Sequence, residues 1–278
     1  MKGLETRFIT YKNSHINWFC FGNGAQPVIC FHGYGENGSH FSFLENHTDD
    51  QFCFLAIDLP FHGKTEWNEG LNFSWNDLRE IIQMILIQIN DRPKTINDKL
   101  ILLGFSLGGR IVLSLYQAIP TEIAKIVLLA PDGLKTNFWY WLSTQTWLGN
   151  KLFYFTMRHP GWFFGFLKTL KRSGFVNASV FKFVKYYIDN KEVRYELYDR
   201  WTGLRRLKPD LSRIRALIAH YKTPVRLVYG RHDRIILSVV GEKFRKGIEE
   251  HCTVSIIESG HQVLHEKHAK DIMHQLRS

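Results

Sequence analysis

Leu100-Ile101-Leu102-Leu103-Gly104-Phe105-Ser106-Leu107-Gly108-Gly109 is the stretch that decides the fold. An unbroken apolar run of strand length enters a Gly-x-Ser-x-Gly pattern, and apolar residues recur at helical spacing over 108–119 behind it. A serine at a sharp strand-to-helix turn has a strained backbone, so the positions two before and two after it must lack side chains. The N-terminus of the helix then aims free N–H groups at negative charge developing beside the hydroxyl. Strand, turn and helix in this order point to Ser106 as a nucleophile, with the Leu107 N–H as one oxyanion donor.

Working outward, residues 27–31 and 51–58 are short continuous apolar runs, the second ended by Pro60 and Gly63. Such runs fit strands covered on both faces of a parallel sheet. Residues 7–10 and 16–21 predict an opening hairpin, and Ser74 or Asn76 can cap a helix reaching about residue 89. Further strands are expected at 123–130, 225–229 and 253–257, with helices near 239–249 and 263–276. This alternation predicts an α/β protein with a doubly wound, mostly parallel sheet. Residues 132–222 break the rhythm: they show no clean strand signal and hold Trp139, Trp141, Trp147, Trp162 and Trp201 in aromatic-rich helical pieces. The predicted organisation is a core of residues 1–131 and 223–278 interrupted by a helical insertion, 132–222.

Hydrophobic residues at 45% and charged residues at 22% exclude a disordered chain. Cys20, Cys30, Cys53 and Cys252 lie in or beside strand-like runs without metal-type spacing, which predicts reduced core thiols. Residues 1–5 lead into polar sequence rather than a signal-peptide core, and no run approaches the ~20 apolar residues of a membrane span. A cytoplasmic protein without a transmembrane segment is expected. The net charge of +10 is concentrated, since residues 132–222 carry 17 Lys and Arg against 6 Asp and Glu. A basic region can draw nucleic acid, anionic membrane, or an acidic partner or anionic substrate; it can also merely solubilise. No nucleic-acid-binding motif accompanies it, so no nucleic-acid partner is expected. No P-loop, dinucleotide fingerprint or zinc motif is present, and neither cofactor nor metal is expected.

Three further motifs stand in order around Ser106. Phe31-His32-Gly33-Tyr34-Gly35 ends an early strand, Gly230-Arg231-His232-Asp233-Arg234 follows the strand at 225–229, and Glu258-Ser259-Gly260-His261-Gln262 follows the last strand. With these the chain resembles the α/β-hydrolase fold family along essentially its whole length. Members of that family carry nucleophile, acid and histidine in this chain order. The resemblance implies His261 as the base that takes the Ser106 proton, with His265 its nearest rival. It implies Asp233, in a family-like G-x-x-D turn, as the acid that orients the imidazole. Asp132 is the alternative, because some members take their acid from there; otherwise it is a turn or cap residue. The H-G-x loop implies the Tyr34 N–H as second oxyanion donor and His32 as a structural residue. Asp58-Leu59-Pro60-Phe61-His62-Gly63 resembles the family's D-x-P-G-H-G turn, with Phe61 in place of a glycine, and reads as scaffold.

The implied chemistry is a two-step acyl transfer without cofactor. A serine nucleophile disfavours the dehalogenase and epoxide hydrolase branches, whose members attack with aspartate. The insertion is expected to cap the strand ends, where ligands of open α/β sheets bind. Its aromatics, including Phe138, Trp139, Tyr140, Trp141, Phe153, Tyr154, Phe155, Phe163 and Phe164, either line an apolar pocket or pack the insertion itself. The leading expectation is a small-molecule substrate, a small or medium apolar carboxylic ester. Ser106-Leu107-Gly108-Gly109-Arg110 also resembles the segment of menaquinone-pathway SHCHC synthases. The alternatives are therefore a capped lyase or C–C bond hydrolase acting on a carboxylate-bearing substrate, a thioesterase, or a non-catalytic binding module.

Overall fold

The apolar runs assemble into one eight-stranded sheet in a computed structural model that describes residues 6–89, 99–135, 137–172 and 188–278. The expectations for residues 1–5, and for 173–187 of the insertion, lie outside the described residues. The strands are β1 Thr6–Tyr11, β2 Ser14–Phe21, β3 Gln26–Phe31, β4 Phe52–Ile57, β5 Leu100–Phe105, β6 Ile123–Leu129, β7 Val225–Gly230 and β8 Cys252–Ile257. Their order is β1-β2-β4-β3-β5-β6-β7-β8. β1 and β2 form the antiparallel hairpin, β2 also runs antiparallel to β4, and the remaining pairs are parallel. All six residues of β5 are buried, as a central strand with both faces covered requires. β8 lies at the sheet edge, and Thr253 and Ile256 are its exposed positions.

β3 pairs with β4 on one side and β5 on the other, so the order of strands reverses there. At such a reversal the connections leave in opposite directions and a crevice opens beyond the carboxyl ends of the two strands. Phe31 is in register with Gly104, which puts the Tyr34 and Leu107 segments, each three residues further on, at the mouth of that crevice.

The helices follow from capping and apolar spacing. In α1, Trp75–Gln88, Ser74 and Asp77 form a reciprocal capping box, and Leu78, Ile81, Ile82 and Ile85 are the buried stripe. α2, Leu107–Ala118, is apolar on nearly every side and lies in the core. α3 to α6 are Phe138–Gln145, Trp147–Arg158, Gly161–Arg172 and Lys191–Gly203; α7 to α9 are Leu211–Tyr221, Val239–Arg245 and Ala269–Arg277. Two helices are shorter than their apolar patterns suggest. α8 stops at Arg245 because Gly247 turns to φ +84° and its N–H bonds the Glu249 carboxylate. The last helix begins at 269 rather than 263, since Val263 and Leu264 are buried as loop and the His265 ring accepts the Lys267 N–H to open a short turn first.

The chain divides into two compact units. The first holds the described parts of Met1–Glu69, Ser74–Lys135 and Leu207–Ser278, and with them the whole sheet. The second, Gly70–Phe73 and Thr136–Arg206, contains α3 to α6. The insertion boundary read from sequence thus shifts: α7 belongs to the first unit, where Ile214 and Ile218 are buried and the Asp210 N–H bonds Gln117 Oε1 at 2.7 Å. A helical period does not reveal which body a helix packs on. Inside the second unit, Tyr140 meets Trp201 at 5.2 Å between ring centroids, and Phe153 meets Tyr198 at 5.2 Å and Trp201 at 5.7 Å. Those aromatics pack the unit itself. Among the described residues no helix is long and apolar enough to cross a membrane.

Candidate active site

Ser106 joins β5 to α2 at φ +48° and ψ −112°, a conformation that side-chain-bearing residues rarely adopt. Surrounding bonds impose it: its N–H donates to Leu129 O at 2.9 Å, and its carbonyl accepts from Gly109 N at 2.9 Å and Asp132 N at 2.8 Å. The flanking glycines are a steric necessity. A Cβ on Gly108 would stand 1.9 Å from Phe31 O, one on Gly104 2.6 Å from Gly108 O, and one on Gly109 2.5 Å from the Pro131 ring. Gly108→Ala therefore forces α2 off the end of β3; a stability loss of about 1–3 kcal/mol or more is expected in urea unfolding.

The loops after β7 and β8 bring two more groups to this turn. His261 Nε2 lies 3.1 Å from Ser106 Oγ, and His261 Nδ1 lies 2.8 Å from Asp233 Oδ2. The other oxygen of Asp233 accepts the N–H groups of Ile235 at 2.7 Å and Ile236 at 3.0 Å, so Oδ2 is left facing the ring, which donates to it through Nδ1–H. The Asp233 side chain is fully buried, whereas His261 keeps 22% of its side-chain surface open. A carboxylate, an imidazole and a hydroxyl thus form one chain of hydrogen bonds reaching the open end of the crevice. Close packing sets the two loops, because a Cβ on Gly230 would meet Gly260 O at 2.0 Å.

The rival groups stand elsewhere. Asp132 is ion-paired with Arg110 and accepts its neighbour Gly133 N–H at 2.7 Å. The exposed His265 caps a turn. Cys30 and Cys252 are buried, and burial pushes both thiols up, Cys252 to about 12, so neither is a thiolate nucleophile. Cys20 and Cys53 are half-buried thiols with sulfurs 3.4 Å apart. Among the described residues no group of three or more His, Cys, Asp or Glu side chains is arranged to hold a metal.

A family model described as the alpha/beta hydrolase fold matches residues 26–268, which include six of the eight strands, β3 to β8, and all of these loops. The chain belongs to the α/β-hydrolase fold family. Over 118 residues it is 29% identical to a pimeloyl-[acyl-carrier protein] methyl ester esterase of Vibrio parahaemolyticus, a match spanning 42% of this chain and 41% of that relative. It is 22% identical over 264 residues to the uncharacterized hydrolase YugF of Bacillus subtilis, spanning 88% of this chain and 86% of the relative. Among solved structures, a thermophilic esterase from Thermogutta terrifontis superposes with a TM-score of 0.66 at 16% identity over 98% of each chain, a likeness of fold. Relatives named as esterase and hydrolase support an enzyme of the hydrolase class.

In this hydrolase the D-x-P-x-H-G turn is a buried hub. Asp58 accepts from Gly38 N at 2.6 Å, Asn17 Nδ2 at 2.7 Å and Lys64 N at 2.8 Å, tying β2, the loop after β3 and the turn itself together. Phe61 departs from the family pattern by holding a side chain at φ +65°, the region that favours glycine. His32 is buried, which lowers its proton affinity; its Nδ1–H donates to Gly33 O at 2.8 Å and its Nε2 accepts from Leu59 N at 3.0 Å. Both nitrogens are thus spent on holding the two loops. The sequence reading missed Glu36 and Gln262. Glu36 Oε2 accepts the Gly33 N–H at 3.1 Å while its Oε1 accepts from Gln262 Nε2, also at 3.1 Å, joining the loop after β3 to the residue next to His261. The two lie 226 positions apart, and no local pattern couples them.

Proposed function

We propose that this hydrolase cleaves a small or medium apolar carboxylic ester through an acyl-enzyme on Ser106. The observation that carries the reading is the unbroken hydrogen-bond chain from Ser106 Oγ through His261 to Asp233, at 3.1 and 2.8 Å. His261 Nε2 takes the hydroxyl proton as Oγ attacks the ester carbonyl, and Asp233 stabilises the imidazolium that results. The N–H groups of Tyr34 and Leu107 receive the oxyanion; each such donor is typically worth about 3–4 kcal/mol in the transition state. The imidazolium then protonates the leaving alkoxide, and the neutral ring activates a water to release the acid.

Similarity to a methyl ester esterase supports an ester as the acyl donor. A carboxylate-bearing substrate needs a binding cation, and Arg110, the cation of the segment that resembles the SHCHC synthases, is ion-paired with Asp132. That favours the ester over the lyase reading. The expected result is release of p-nitrophenol from short-chain p-nitrophenyl esters, together with covalent labelling of Ser106 by a fluorophosphonate. Labelling without ester turnover would overturn the ester reading in favour of C–C bond chemistry; neither signal in folded protein would leave a binding module.

A further inference from the structure

We infer that the water-facing side of α4 docks on an anionic lipid surface. The helix is inverted relative to an ordinary surface helix. Its solvent side carries Trp147, Leu148, Leu152, Tyr154 and Phe155, with Trp147 72% and Leu148 71% exposed, while its inner side holds Asn150, Phe153, Thr156 and Met157. At 100° per residue the five exposed apolar positions fall within an arc of about 160°, a single face. The adjoining helix α3 of the same unit carries exposed Phe138 and Trp139.

The charges on that face have one sign. Lys151 and Arg158 lie within the same arc, and α4 contains no Asp or Glu. Lys151 Nζ sits 3.9 Å from the Trp147 ring centroid and Arg158 Cζ 4.8 Å from that of Tyr154. Long cationic side chains resting on aromatic rings within an apolar face can extend their charged ends to phosphates while the rings enter the acyl boundary. Twelve residues span about 18 Å, too short to cross a bilayer, so the helix lies in the plane of the interface. A folded protein partner fits less well, because protein interfaces carry about one hydrogen bond per 100–200 Å² and this face offers few groups to make them. A lipid surface demands none.

The test uses the full chain and vesicles. Co-sedimentation is expected with phosphatidylcholine vesicles containing about one-third phosphatidylglycerol, about tenfold weaker with phosphatidylcholine alone, and weakened by salt at about 0.5 M. The variant W147S/L148S/L152S should lose about tenfold or more in partitioning, and K151E/R158E likewise on anionic vesicles, with circular dichroism and melting temperature unchanged. Should the triple variant fail to fold, Lys151→Glu alone must still weaken binding. Absence of sedimentation with anionic vesicles, or equal sedimentation by folded variants, would overturn the inference. So would an α4-dependent complex with a purified acidic acyl carrier protein in the absence of vesicle binding.

Discussion

Replacing Ser106 with alanine is expected to abolish fluorophosphonate labelling and to lower ester turnover by about 10⁶-fold, with the fold intact. Removal of a serine nucleophile from such a hydrogen-bonded set leaves only the oxyanion donors and substrate binding to act, and losses of that order follow. At 1.36 kcal/mol per tenfold this is about 8 kcal/mol of transition-state stabilisation. Stability should change little, because the strained φ of +48° is set by backbone bonds to Leu129, Gly109 and Asp132 that alanine keeps. The side chain itself contributes the 3.1 Å contact with His261. Active-site titration with a fluorophosphonate and a melting curve on the same sample check both halves. Persistent labelling of folded Ser106→Ala would place the nucleophile on another residue.

Asp233→Asn is expected to lower turnover by about 10⁴-fold, and Asp132→Asn to leave it within about threefold. The backbone N–H groups of Ile235 and Ile236 already converge on one oxygen of Asp233. An asparagine keeps those two bonds only by placing its carbonyl oxygen there, which turns its NH₂ toward His261 Nδ1. A donor at that position forces Nδ1 to accept, so the ring proton moves to Nε2 and no lone pair remains to take the Ser106 proton. The defect is one of tautomer, and kcat should bear it rather than KM. Asp132 is ion-paired with Arg110, so its neutralisation disturbs a contact beside the turn without touching the imidazole. Steady-state kinetics on both variants decides the matter, and a steep loss in Asp132→Asn alone would transfer the acid's role to that residue.

The sequence by itself determined what short-range sterics and solvation dictate. Uninterrupted apolar runs have to be strands covered on both faces, and Gly104 and Gly108 are glycines because a methyl on either would strike backbone within 2.6 Å. The Gly-x-Ser-x-Gly turn and its strand–helix context were legible for that reason, and with them the family and the order in which serine, aspartate and histidine occur. Helix ends were less legible, since the turn after Leu264 and the Gly247 bend depend on single hydrogen bonds that no period records. What only the tertiary structure decided are the meetings between distant positions. Strand register brings the loops after β5, β7 and β8 to one rim, separating Asp233, 2.8 Å from the histidine, from Asp132, which Arg110 holds. The Glu36–Gln262 link, the attachment of α7 to the sheet-bearing unit and the outward turn of the apolar side of α4 were likewise invisible in the chain. Local patterns report which conformation a segment prefers; which surfaces then touch is set by the packing of the whole.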